Sequence, residues 1–332
     1  MVLPSSGLIT LADLQAEFGG SNPISLSEYY KGGLYVPNSS YTAAVPTSGT
    51  IALQNFFGTS NVFTATISAN TTSLNAYTWL VGQGWNEVSA VRLTIATGVY
   101  VYSNTTSLGA LYNIPPCTII NDGFIMGCGG NGNSGAGGDA LTLAGNLTLI
   151  NNASGYIGGG GGGGAKGTYA NYFSGGGGGA GGGTGGVSWD GTGGGAGGGP
   201  GGSGSNGSNT GGGSGPVGGY GGTAGGGGGD NDNDAYDPDK RTGGGGGGRI
   251  LPGARSGYPN IGGDGYTRGS YGGGPEEVGE SRNTNSGAGG GGWGAAGGNT
   301  SSTGGTAGKA VVLNGFSCTI SGTTSQIYGA VA

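Results

Sequence analysis

The chain has 332 residues, of which 93 are glycine, 12 are proline and only 8% are charged, which excludes an ordinary globular composition, while the missing Gly-X-Y period excludes collagen. A net charge of −6 and a pI near 4.4, with ten scattered basic residues, leave no electrostatic footprint for nucleic acid. There is no histidine, so Ser-His and Cys-His nucleophile pairs and the commonest ligand of catalytic zinc are missing, and the protein is not expected to be an enzyme.

Three short units open the chain, at residues 7–19 (GLITLADLQAEFG), 23–33 (PISLSEYYKGG) and 49–58 (GTIALQNFFG). They share Ile-x-Leu, then an aromatic, then glycine. Ser25 followed by Glu28 fits a capping box, and Thr10 with Asp13 is a weaker version. Each unit therefore predicts an extended lead into one or two helical turns ended by glycine. Such turns do not hold alone, so Leu11, Leu14, Phe18, Leu26, Tyr29 and Tyr30 need a surface, either one another or a partner chain. Residues 1–58 read as an attachment region. No run of apolar residues is long enough to span a membrane and the first residues lack the regions of a signal peptide, so neither membrane insertion nor export is expected.

Residues 59–153 predict a β-rich stem domain, because runs such as 62–67 (VFTATI) and 90–95 (AVRLTI) alternate with period two. Residues 117–127 (CTIINDGFIMG) are echoed at 147–158 (LTLINNASGYIG), and repetition at about thirty residues is what stacked supersecondary units produce. Cys117, Cys128 and Cys318 have no CxxC spacing and read as small core residues. Glycine then dominates 154–309, with runs at 158–164, 175–179, 225–229, 243–248 and 289–292 among others. Residues 310–332 are β-like again, as a closing cap.

A polyproline-II-type helix has about three residues per turn and no internal hydrogen bonds, so its backbone groups must find partners elsewhere. Without side chains, such helices can lie side by side and exchange N–H···O=C bonds. Fixing each glycine costs about 1–2 kcal/mol of backbone entropy, which hydrogen bonds of roughly 1 kcal/mol each only about offset. The expected fold class is thus mainly β and irregular: short N-terminal helical motifs, a β-rich middle, and a C-terminal bundle of polyglycine II helices.

Tyr and Trp supply large, rigid contact area with a polar handle, which suits loops that recognise sugars or outer-membrane loops. On this ground Tyr169, Tyr172, Phe173, Trp189, Tyr236, Tyr258, Tyr266 and Tyr271 are candidate receptor-binding residues. The alternative for any aromatic in the glycine region, Tyr156 and Trp293 included, is packing against the bundle. Residues 230–239 (DNDNDAYDPD) place Asp230, Asp232 and Asp234 at alternate positions, as calcium loops do. The EF-hand pattern fails there, since Ala235 stands for the glycine and Arg241 for the bidentate Glu. No cofactor is expected, with calcium the one cation these carboxylates could take. Glu276, Glu277 and Glu280 could supply a glycosidase pair only if two of them converged.

Three stretches resemble bacteriophage tail-fibre and tail-tip proteins: 24–32 (ISLSEYYKG), 93–103 followed by 119–130 (IINDGFIMGCGG), and 327–331 (IYGAV). The glycine region is similar to the distal adhesins of T-even-type long tail fibres. That resemblance implies a sandwich of polyglycine II helices whose end loops contact the host surface. It implies a virion protein assembled in the host cytoplasm, joined to other virion proteins through residues 1–58 and binding a bacterial surface polysaccharide or outer-membrane protein. A trimer would suit a fibre. The alternative is a capsid or tail decoration protein without a receptor-binding role. The chain departs from those adhesins in its repeated N-terminal region and the β segment after it.

Overall fold

The computed structural model describes residues 2–169, 172–174, 179–184, 197, 209–210, 241–242, 272–280 and 287–332. The three N-terminal units form α1 (Leu11–Phe18) and two single 3₁₀ turns at Leu26–Glu28 and Leu53–Phe56. They bury their aromatics against one another. Phe18, Tyr29 and Phe56, one from each unit, are all buried, with Phe18 and Phe56 edge to face at 6.0 Å and Tyr29 and Phe56 at 6.3 Å. The capping strengths are the reverse of those expected. Thr10 and Asp13 make the reciprocal box, with the Thr10 N–H donating to Asp13 Oδ2 at 2.8 Å. These bonds from Thr10 hold the Asp13 carboxyl below the usual carboxylate range. Ser25 instead accepts a long 3.4 Å bond from Ser27 N, because its single 3₁₀ turn does not bring Glu28 back over the cap. This small core joins the next module through Glu17, which accepts from Asn61 N at 2.7 Å, and through Arg92, which donates to Tyr41 Oη at 2.7 Å.

From residue 62 the chain winds as a three-sided parallel solenoid. The first coil holds β1 (Val62–Ile67), β2 (Thr71–Thr72) and β3 (Leu74–Asn75), followed by α2 (Ala76–Gly82). The second holds β4 (Ala90–Ile95), β5 (Tyr100–Tyr102) and β6 (Leu111–Ile114), and the third β7 (Cys117–Asn121), β8 (Phe124–Met126) and β9 (Leu141–Leu143). In the fourth, β10 (Leu147–Asn151) and β11 (Tyr156–Gly158) are followed by a long excursion. It carries β12 (Gly167–Tyr169), β13 (Tyr172–Ser174), β14 (Asn209–Thr210) and β15 (Arg241–Thr242) before β16 (Val311–Val312) completes the coil. The last coil holds β17 (Cys318–Gly322) and β18 (Ile327–Tyr328), with Val331 bridging Val311 on the third side. The three faces are the sheets β1-β4-β7-β10-β17, β2-β5-β8-β11-β18 and β3-β6-β9-β16.

The thirty-residue echo is one coil of this solenoid. Cys117 pairs with Leu147 and Asn121 with Asn151, in parallel register. Register carries the side chains into columns: Ala65, Leu93, Ile119, Leu149 and Ile320 stack one above another, and all of them belong to or pack on one core cluster. Strands about 4.8 Å apart put like residues in contact, and each fully buried Leu or Ile contributes about 2 kcal/mol. The intervening column of Thr64, Arg92, Thr118, Thr148 and Thr319 stands on the other face of the sheet, as period two requires. Residues 310–332 run as the closing strands of this solenoid, because their apolar residues complete its columns.

Cys117 stands in a core column between Val91 and Leu147. Burial pushes its thiol up to about 12, and neighbouring Cys318 adds to the shift. Only the thiolate is nucleophilic, so in folded protein at pH 8 iodoacetamide should label Cys117 at least about 100-fold more slowly than in denatured protein. Mass spectrometry of peptides after timed quenching measures this, and equal rates would contradict the buried position.

The glycine excursion is built on backbone bonds. Gly127, Gly130 and Asn133 donate to the carbonyls of Gly158, Gly161 and Gly164 at 2.8, 2.8 and 2.9 Å. Gly294, Gly291 and Ala288 donate to those of Gly159, Gly162 and Ala165 at 2.8, 2.8 and 2.9 Å, and Gly308 and Gly305 to those of Gly160 and Gly163 at 2.8 and 2.7 Å. In return the amides of Gly160 and Gly163 donate to Gly138 and Gly135, those of Gly162 and Ala165 to Ala295 and Gly298, and that of Gly161 to Ala180. Residues 158–165 thus change neighbour at every step and return to the same neighbour at every third. A Cβ on any of Gly159, Gly160, Gly161, Gly162, Gly163 or Gly164 would fall on a backbone carbonyl of an adjoining stretch.

Candidate functional site

The described part of the glycine region stands on the second face of the solenoid. Tyr100, Phe124 and Tyr156 stack there with centroids 4.6 and 5.6 Å apart, and Tyr328 follows Tyr156 at 6.4 Å. Met126, Ala180, Trp293 and Tyr328 form a buried cluster with these rings packed against it. A Cβ on Gly158 would meet the Trp293 ring at 3.1 Å, so glycine there lets the indole lie on the strand. Burial pushes the Tyr328 hydroxyl up to about 12, with Tyr156 and Glu276 adding to it. Tyr156 and Trp293 therefore follow the packing alternative of the sequence reading. They tie the glycine region to the solenoid.

From this base the pairing order sets a direction. Gly127 pairs with Gly158 and Asn133 with Gly164, while Gly294 pairs with Gly159 and Ala288 with Ala165, so 131–134, 165–166, 288 and 298–303 lie at the end away from the solenoid. At that end the stretches are joined by side chains. Asn131 Oδ1 accepts from Thr184 N at 3.1 Å and from Thr184 Oγ1 at 2.9 Å, and Gly132 N donates back to the Thr184 carbonyl at 2.6 Å. Ser134 Oγ donates to Thr303 O and Thr300 Oγ1 to Lys166 O, both at 2.6 Å. Asn299 Oδ1 accepts from Gly304 N at 2.8 Å.

The hairpin of β12 and β13 leaves directly after Lys166, pairing Tyr169 with Tyr172 and Thr168 with Phe173. β14 and β15 pair as well, Asn209 with Thr242 and Thr210 with Arg241, and β15 lies beside β13. The candidates Tyr169, Tyr172 and Phe173 thus come together on one hairpin at the far end. Trp189 follows in the chain from Thr184, and with Tyr236, Tyr258, Tyr266 and Tyr271 it lies outside the described residues. Asp230, Asp232 and Asp234 lie outside them too. Among the described residues no group of three or more metal-ligating side chains forms.

Glu276, Glu277 and Glu280 take a different place. Glu276 N donates to Trp293 O at 2.8 Å, near the solenoid, while Glu280 O accepts from Gly289 N further out. Glu277 Oε2 accepts from Gly274 N at 3.0 Å, which shows that carboxylate bracing its own turn. Sequence reasoning missed Asn131, Ser134, Thr184, Thr300 and Thr303. The signal available was the Asn, Ser and Thr clusters at the ends of glycine runs, which mark turns.

Residues 62–225 match the family model described as phage tail fibre adhesin Gp38. No curated protein matches the chain. Among solved structures, the chain is similar to the crystal structure of the gp37-gp38 adhesin tip complex of the bacteriophage S16 long tail fiber. The two are 20% identical, with a TM-score of 0.45 and 99% of this chain and 100% of that chain covered. The segment matched by the family begins with the first solenoid strand and runs into the glycine region. The protein is an adhesin of a bacteriophage virion. More narrowly, it is a phage tail-fibre adhesin carrying the Gp38 pattern over residues 62–225. Among the described residues no helix is long and apolar enough to cross a membrane.

Proposed function

We propose that this adhesin binds the host cell surface through the loops at the far end of its glycine region, and that it does so without catalysing a reaction. The observation that carries the reading is the position of the β12–β13 hairpin, whose Tyr169, Tyr172 and Phe173 depart from the end opposite the solenoid. Aromatics at such an end offer rigid contact area to a polysaccharide or to an outer-membrane protein. The glycine region holding them is read as a bundle of polyglycine II helices. The return to the same neighbour at every third residue supports this, since such a helix has about three residues per turn.

Residues 1–58, the stem at 59–153, the bundle at 154–309 and the closing strands at 310–332 are proposed as its working parts. The first joins the adhesin to other virion proteins. Val2, Leu8 and Leu34 are exposed on that unit and are available to such a partner.

Purified full-length protein should bind susceptible cells and compete with phage for adsorption. Replacing residues 168–173 by a Gly/Ser loop should weaken that competition by about tenfold or more, the loss of a main aromatic anchor. If wild-type protein does not bind under any condition, the receptor role is lost and a decoration protein is left.

A further inference from the structure

We propose that the last coil of the solenoid is a docking edge for a second copy of this chain, pairing β17 with β17 about a two-fold axis at Thr319. The two ends of the solenoid are finished differently. At the first coil the 3₁₀ turn Ser40–Thr42 lies against β1, and Leu80 of α2 is buried in the core. At the last coil β17 is the outermost strand of its sheet, and among the described residues only β10 pairs with it. Within its core column Leu93, Ile119 and Leu149 are fully buried, whereas Ile320 is only partly buried. A stack of repeats ends this way where no cap covers its last unit.

The bonding parity of β17 fixes how a partner strand can meet it. Leu147 N donates to Ser317 O, and Thr323 N donates to Asn151 O. In the parallel register between them, Thr319 and Ser321 also turn their backbone groups to β10. The N–H and C=O groups of Cys318 and Ile320 therefore face outward. A second β17, antiparallel and centred on Thr319, sets Cys318 opposite Ile320 twice, and each of these pairs exchanges both backbone bonds. The partly buried Cys318 and Ile320 side chains then cover each other, while the two exposed Thr319 side chains meet on the outer face.

Charge and topology favour a second copy as the occupant. The molecule carries a net charge of −6, but residues 310–332 contain no Asp, Glu, Lys or Arg, so two copies meet at this end without side-chain repulsion. Edge strands that stay unpaired are commonly guarded by charge or proline, and Cys318–Gly322 has neither. Head-to-tail stacking is blocked, because residues 1–58 lie over the first coil. What is left is a closed pair in which the same edge serves both copies. It joins two glycine regions in one particle, whatever each of them contacts.

An edge contact of this kind is small, so full-length wild-type protein should pass from monomer to dimer at about 10–100 µM in sedimentation equilibrium. Thr319→Lys and Thr319→Glu each place like charges across the axis and should weaken the dimer by about fivefold or more. Their thermal unfolding should match wild type, because the side chain is exposed. An equimolar mixture of the two variants should recover the dimer, since opposite charges then face each other. Thr319→Cys reads the axis directly: the pair there is not hydrogen-bonded and brings its Cα atoms to about 4.5 Å, within disulfide reach. Copper–phenanthroline oxidation should link Thr319→Cys into dimers at least about tenfold faster than wild type or Thr148→Cys, which is exposed on the same sheet.

Wild-type protein that stays monomeric over this range overturns the proposal, as does a Thr319→Lys variant that dimerises at wild-type strength. Equal cross-linking of Thr319→Cys and Thr148→Cys overturns it too, since the contact would then be random collision.

Discussion

Replacing Gly161 with valine should unfold the glycine region while leaving the solenoid paired. A Cβ at Gly161 would fall on the carbonyl oxygens of Gly291 and Gly292, which are backbone and cannot rotate away. Moving that stretch breaks the bond from Gly291 N to Gly162 O and strains those from Gly161 N to Ala180 O and from Gly130 N to Gly161 O, each at 2.8 Å. Overpacking and several lost buried bonds together cost about 5 kcal/mol or more. Hydrogen exchange over 158–165 should become that of an open chain, and competition for adsorption should disappear with it. Gly82→Ala is the matched control, because a Cβ there meets nothing within 4 Å and alanine favours the helix by about 0.8–1 kcal/mol over glycine. Persistent protection over 158–165 in the valine variant would show that the glycine stretches are not packed as described.

Asn151→Ala should cost about 3–5 kcal/mol and loosen the solenoid from its fourth coil onward. Asn121 and Asn151 are fully buried at the same corner of successive coils. Asn121 Nδ2 donates to Asn151 Oδ1 at 2.8 Å, and Asn121 Oδ1 accepts from Gly123 N at 3.2 Å. Asn151 Nδ2 donates to Gly155 O at 3.0 Å and to Thr323 O at 2.9 Å. Truncation leaves the Asn121 amide and two carbonyls without these partners in a dry corner, and each lost partner carries a desolvation cost. Thermal unfolding should shift to lower temperature, and limited proteolysis should release residues 310–332 first, since this side chain doubles the bond from Thr323 N to Asn151 O that ties Thr323 to the fourth coil. Thr148→Ala, at an exposed position of the same strand, should change stability by less than about 0.5 kcal/mol. A destabilisation of similar size in both variants would remove the asparagine ladder as a cause.

Much of this was legible before any fold was known. The Ile-x-Leu units announced their turns. The echo of 117–127 at 147–158 is local evidence for stacked units, because each coil must present the same apolar columns to the coils above and below it. Long glycine runs likewise announced a fold held by backbone bonds, since no side chains were available to make a core.

Other features could not be read from adjacency in the chain. The capping order was one: Thr10 and Asp13 form the reciprocal box because α1 continues past its first turn, whereas the Ser25 turn ends at Glu28. The place of the closing segment was another, since Cys318 sits beside Leu147 across an excursion that sequence distance cannot measure. The packing of Tyr156 and Trp293 on the solenoid was a third. Tyr156 and Trp293 stand among glycines just as Tyr169 and Tyr172 do, and only the register of β11 on β8 and the antiparallel return of 288–294 put the first two on the solenoid. Composition and period are properties of the chain read along its length, and they determined the kinds of structure this protein could form. Direction, insertion point and the side chains meeting at the far end depend on pairings between residues far apart in the chain, from 53 positions for Asn131 and Thr184 to 169 for Ser134 and Thr303, and those were decided by three-dimensional packing alone.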